Sequence, residues 1–260
     1  MKATNLFSRL GISLIALATL LAPSFASAAI SFVQANGFPA GSVPGAACNN
    51  SLSNVAAGDL LIFTVRLVAG ATQTSTLPVD NLGNTWKLAV SKNEPSGSNS
   101  STEVIYYAMN VAGGATSATT TINTSSTTFH SCLMAEYSGV ALSNALDVTS
   151  GNTGTSQASL NSGTSTTNFA NELIVGAGST FSPNVTFTPA AGYTQRATST
   201  REALQDQIGV AIGANNSAMT LSASTGIWIG VMAAFQLPPK TTPSYILAGK
   251  IKLAGSVKFR

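Results

Sequence analysis

The sequence predicts an all-β protein, and three observations carry that prediction. Its apolar runs are of strand length and rich in β-branched and aromatic residues. Tracts of Gly, Ser, Thr, Asn and Pro, the residues that build turns, separate them. Helical periodicity hardly occurs. Repeated short strands with turn signals belong to a sandwich or barrel rather than to βαβ units.

The first 28 residues read as a secretory signal peptide, an N-terminal signal helix outside the β-fold. Lys2 and Arg9 precede the apolar core LGISLIALATLLA, Pro23 breaks it, and Ala26-Ser27-Ala28 offers a small-residue cleavage site. That core is about thirteen residues long, short of the roughly 20 a spanning helix needs. No later segment is long and apolar enough to span, so the expectation is a secreted chain, extracellular, periplasmic or on the cell surface. Its 232 mature residues suit one large all-β domain over 29–237.

Strands are expected at Ile30–Val33, Leu60–Val68 (LLIFTVRLV), Trp86–Val90, Glu103–Val111, Thr119–Asn123 and Phe129–Tyr137. Glu172–Gly178, Ile208–Ile212 and Ile227–Phe235 continue the series. In Phe129–Tyr137, one face carries Phe129, Leu133 and Tyr137, and the other His130, Cys132, Met134 and Glu136. That mixed second face suits partial cover. Thr116–Thr128 and Thr149–Thr167 look like low-complexity linkers, but Thr favours strands, so long exposed strands fit them equally. Residues 238–243 form a Pro-rich linker that stops the last strand. Beyond it, 244–260 alternates as a basic β-hairpin or strand.

Several segments together, VDNLGNTW (79–86), VIYYAMNVA (104–112), EYSGV (136–140), NELIVG (171–176) and WIGVMAAF (228–235), resemble secreted bacterial domains with a concanavalin-like jelly-roll β-sandwich. The resemblance implies a two-sheet antiparallel jelly roll, similar in shape to lectin and laminin-G-like domains. It brings no family-wide catalytic residues, and the fold serves binding, structural and hydrolytic roles alike.

Charge is scarce. Only 8% of residues are Asp, Glu, Lys or Arg, against roughly 25% in ordinary domains, and there is one histidine. His130 lies mid-strand with no nucleophile elbow near any serine, so a Ser-His-Asp or Cys-His system is not expected. Cys48 and Cys132 either pair as a disulfide, as export favours, or stand as separate thiols with Cys132 a small hydrophobe in a strand. One histidine and two distant cysteines make no metal site. Asp80, Asn81 and Asn84 cluster ahead of Trp86. Their oxygens could attract calcium and the ring could stack on a sugar; equally, the segment is an Asx-rich turn with Trp86 in the core. No other cofactor is expected.

The nine acids are scattered singly, without the alternating acid cluster of a jelly-roll glycosidase, though Glu103, Glu136 and Glu172 could converge from separate strands. The body from 29 to 239 holds all nine acids and five basic residues. Lys240, Lys250, Lys252, Lys258 and Arg260 give the tail five positive charges and no acid. Such a tail could bind anionic envelope polymers, add as a strand to a neighbouring subunit, or lie solvated on its own sandwich. Near-neutral balance and export argue against nucleic acid. The expectation is a non-enzymatic binding or structural module, with glycans as candidate ligands; the alternative is a carbohydrate-active hydrolase using dispersed carboxylates.

Overall fold

The structure, a computed structural model, describes residues 29–37, 43–44, 47–68, 77–94, 101–121 and 129–239. The expected signal segment (1–28) and the basic tail with its five cationic side chains lie outside the described residues. Among those described, the regular structure is all β, and no helix is long and apolar enough to cross a membrane.

Among the described residues, seventeen strands run in chain order. The first nine are β1 (Ser31–Asn36), β2 (Val43–Pro44), β3 (Ala47–Val55), β4 (Leu60–Val68), β5 (Val79–Asp80), β6 (Lys87–Glu94), β7 (Ser101–Ala108), β8 (Gly114–Thr121) and β9 (Phe129–Ser138). The rest are β10 (Leu146–Asn161), β11 (Ser165–Thr167), β12 (Glu172–Thr180), β13 (Phe187–Pro189), β14 (Thr194–Thr198), β15 (Glu202–Val210), β16 (Gly213–Asn215) and β17 (Ala218–Phe235). All strand pairs are antiparallel, as hairpin and meander connections require.

Two large sheets form the sandwich. The front sheet has the order β1-β9-β4-β7-β6, with β2 beside β9; the back sheet has β10-β17-β12-β15-β14, with β13 beside β17. Alternate residues of both sheets meet in the central core, among them Leu60, Ile62, Ile105, Leu133, Val175, Leu204 and Val231. Tyr107 and Phe235 join the sheets edge to face, with ring centroids 5.4 Å apart.

The outer faces are covered too. A small sheet, β3-β8-β5, supplies Cys48, Leu52 and Val55, which pack with Phe63, Val65, Cys132, Met134 and Trp86 of the front sheet's outer layer. The second face of β9 is therefore not partly but wholly buried: His130, Cys132, Met134 and Glu136 are all at most 1% exposed. On the back sheet, the Thr149–Thr167 tract is mostly strand β10, paired with β17 from Leu146↔Phe235 to Asn161↔Ala218. The far ends of β10 and β17 fold over the back sheet, where Leu160, Met219 and Leu221 cover Trp228 and Ala203. Gly176 and Gly230 permit this approach: a Cβ on Gly176 would stand 1.8 Å from Ser217 Oγ, and one on Gly230 2.7 Å from the Asn161 carbonyl.

Most expected strands occur, with shifted bounds. The segment at Ile208–Ile212 is the end of β15, which begins six residues earlier at Glu202. Polar Glu202, Gln205 and Asp206 hid the earlier part of β15. Strand β3, ACNNSLSNV, was not expected because its polar face has little strand character.

Candidate functional site

The loop from Asp80 to Trp86 is brought together as expected, and its geometry is that of a self-bonded turn. Asp80 Oδ1 accepts from the Leu82 and Asn84 backbone N–H groups, both at 3.0 Å. Its Oδ2 accepts from Asn84 Nδ2 at 2.8 Å and from the Trp86 indole Nε1 at 3.0 Å. Asn84 Oδ1 in turn accepts from Ala112 N, and Asn81 Oδ1 from Thr116 Oγ1. Gly83 takes φ +72°, the left-handed corner such a turn needs. The Asp80 and Asn84 oxygens a cation would use are occupied by N–H donors. Trp86 is 2% exposed and packs edge to face on Phe63, so its faces are turned inward. Beside the loop lies an open depression of about 460 Å³ lined by Leu82, Asn84, Lys87, Met109, Asn110 and Leu142.

Cys48 and Cys132 form a disulfide with Cα atoms 6.1 Å apart, linking β3 to β9 and so the small sheet to the front sheet. His130 is buried in the same outer layer. Among the described residues no group of three or more His, Cys, Asp or Glu could hold a metal.

The charged groups form a pattern that scattered spacing did not reveal. Six of the nine acids are buried: Asp59, Glu103, Glu136, Glu172, Glu202 and Asp206. The largest cluster closes one end of the central core. On β4, Thr64 and Arg66 continue the inward alternation of Leu60 and Ile62, and Glu103, Ser131, Ser179 and Glu202 face them from β7, β9, β12 and β15. Glu202 accepts from Ser131 Oγ at 2.6 Å and from Thr64 Oγ1. Glu103 lies beside Glu202 and Ser179, and burial drives its carboxyl well above the usual range, with the Glu202 charge adding to it. Glu202 itself rises to about 6 through burial, held back by Ser131, Thr64 and Arg66.

Arg66 is fully buried and none of its three nitrogens makes a hydrogen bond, so it acts on the two acids through its charge. Burial lowers it to about 10, against the opposing attraction of Glu103. One sequence signal pointed here: Arg66 is the only charge in the run LLIFTVRLV, at an inward position. Nothing in the sequence pointed to Glu202, whose neighbours are brought to it from four other strands.

Two further acid pairs lie in the outer layers. Glu136 accepts from Gln34 Nε2 at 2.6 Å and Ala56 N at 2.8 Å, and Asp59 sits against it. Asp147 accepts from Asn168 N and Nδ2, both at 2.8 Å, and Glu172 sits against it. Asp206 is ion-paired to Arg196 at 2.8 Å, and the Arg196 guanidinium also covers the Phe32 ring. The acids do converge, then, but as adjacent pairs: Glu103–Glu202 between the two large sheets, the other two pairs each within one sheet. Of the three acids thought able to meet, Glu103, Glu136 and Glu172, each joins a different partner. Compared with known protein families, with characterised proteins and with solved structures, the chain matches none of them.

Proposed function

We propose that this chain is an exported, non-enzymatic binding or structural module of the cell surface or extracellular space, built on a concanavalin-like jelly roll. The observation that carries the reading is where charge goes. All fourteen charged residues of the 29–239 body lie among the described residues, and Lys87 alone is in the exposed class. Along β10 what faces outward is hydroxyl and amide: Thr155, Ser156, Gln157 and Ser159 are all exposed.

Such a surface suits a neutral, hydrated ligand such as a polysaccharide, whose hydroxyls exchange hydrogen bonds without desolvating ions. Among the described residues it offers no basic stripe for a phosphate backbone. The depression beside the Asp80 loop, with Asn84, Asn110 and Lys87 at its rim, is the contact we favour for a sugar. The disulfide supports an oxidising compartment, and the basic tail supplies a second contact, for anionic envelope polymers or for a strand of a neighbouring subunit.

A hydrolase acting through dispersed carboxylates is less well supported. Glycosidases hold their two carboxyls about 5–9.5 Å apart around the sugar, whereas Glu103 and Glu202 touch and are both fully buried. The test is a glycan array probed with the full-length exported protein, followed by assay of sugar release from any glycan bound. Retention of neutral polysaccharide without cleavage supports the reading. Cleavage would replace it with the hydrolase, and a blank array would leave only the structural role.

A further inference from the structure

The three acid pairs share one construction. In each, one carboxylate accepts two hydrogen bonds from ordinary donors: Glu202 from Thr64 and Ser131, Glu136 from Gln34 and Ala56 N, Asp147 from Asn168. In each, the other member has buried oxygens with no donor within hydrogen-bond distance: both oxygens of Glu103, which the Ser179 hydroxyl approaches without closing a bond, both of Glu172, and Oδ2 of Asp59. A buried, ionised carboxyl without donors is among the costliest groups a fold can hold. A carboxylic acid in the same place is a donor, and its neighbour's carboxylate is an acceptor. The geometry therefore assigns a proton to Glu103, Glu172 and Asp59, each donated to its partner.

The pairs also occupy different layers. Asp59–Glu136 lies on the outer face of the front sheet, on the side that β3 covers. Glu103–Glu202 lies between the front and back sheets. Asp147–Glu172 lies on the outer side of the back sheet, where β12 presents Ile174 to the outer cluster with Val210 and Met232. We propose that three structural protons, one per carboxyl pair, hold this fold together, one between the two large sheets and one within each of them, so that the folded protein is secured under mildly acidic conditions and released as the medium turns alkaline.

The surroundings favour this assignment. Arg66 from β4 is the cation acting on both acids of the central pair, with Arg201, just ahead of β15, acting on Arg66, and with one proton retained the pair carries one negative charge beside Arg66. Asp206 lies further along β15 and is neutralised by Arg196. Glu172 is acted on by its burial and by Asp147, and Asp59 by its burial and by Glu136. Lys92 of β6 lays its stem against Gly151 of β10.

Burial and the neighbouring acid raise Asp59 to about 6 and Glu172 to about 8, and carry Glu103 well above the ordinary range. A carboxyl whose folded value exceeds its unfolded one holds more protons folded than unfolded. Its stabilisation is complete below the unfolded value, near pH 4, and is lost as pH rises through the folded value. Each retained proton changes the unfolding constant by up to about tenfold per pH unit within that window.

The test is thermal and urea unfolding of the disulfide-intact full chain from pH 4.5 to 9, with Asp59→Asn, Glu103→Gln and Glu172→Gln alongside. An amide donates as the protonated carboxyl does, so each variant should fold and lose close to one proton of pH dependence. The wild-type midpoint should fall from pH 5 to pH 8. A midpoint that is flat or rises across that range overturns the proposal, as does an undiminished slope in all three variants. Should the variants fail to fold, infrared spectra of the native protein in D₂O at neutral pH decide. A protonated-carboxyl carbonyl band supports the proposal, and its absence overturns it.

Discussion

Cys48 of β3 is bonded to Cys132 of β9, and that bond fastens the small outer sheet to the front sheet across the layer that also buries Trp86. It closes a loop of 84 residues, which in the chain-entropy account is worth on the order of 4–5 kcal/mol. The double variant Cys48→Ala/Cys132→Ala should lose about that much in urea unfolding. Peptide mapping without reductant should recover the two cysteine peptides as one linked species.

Pairing of these cysteines was one of two readings that their number and the expected export left open, and what they join was not legible at all. LLIFTVRLV and WIGVMAAF announce β4 and the end of β17 because both faces of those strands are buried and their apolar runs are continuous. Strands β3 and β10 announce themselves poorly. β10 turns hydroxyls outward along the edge of its sheet, and a Ser/Thr-rich edge strand has the composition of a linker. The Asp80 turn was readable because an Asx turn is local. The acid pairs were not, because Glu103 and Glu202 are 99 residues apart and meet only when the two sheets stack.

Asp80 holds four N–H donors on one carboxylate, including the indole of Trp86. Asp80→Ala leaves the buried Trp86 N–H without its acceptor and frees the turn. Hydrogen bonds to a charged acceptor contribute about 1.5–3 kcal/mol each, and a lost buried partner about 1–3. A loss of about 2–4 kcal/mol is expected in chemical denaturation. Asp80→Asn retains one oxygen acceptor and should fall between the two. A red shift of Trp86 emission, compared in a Trp228→Phe background, reports the loosened ring.

Gly176 and Gly226 make a matched pair of probes. A Cβ on Gly176 would meet Ser217 Oγ at 1.8 Å, whereas one on Gly226 meets nothing within 4 Å. Overpacking of a tight site costs about 1–3 kcal/mol or more. Gly176→Ala should therefore lower the melting temperature by several degrees, while Gly226→Ala leaves it within about a degree. Adding Ser217→Gly to Gly176→Ala should recover part of the loss, because it removes both atoms that crowd the new methyl.

Arg66 tests how the central core tolerates charge. At pH 7, Arg66→Met removes the cation that faces Glu103 and Glu202, leaving the ionised Glu202 uncompensated in a fully buried site. Breaking a buried pair in this way costs about 3–5 kcal/mol. Burial has already raised Glu202 to about 6, and loss of the arginine raises it further, so at pH 5 the carboxyl takes a proton and the penalty shrinks. The variant's deficit should therefore be large at pH 7 and small at pH 5, the opposite of a simple packing defect, which is the same at both. Arg66→Met/Glu202→Gln removes the stranded charge as well and should regain most of the stability at pH 7. The coupling energy of that double-mutant cycle measures the field between β4 and β15.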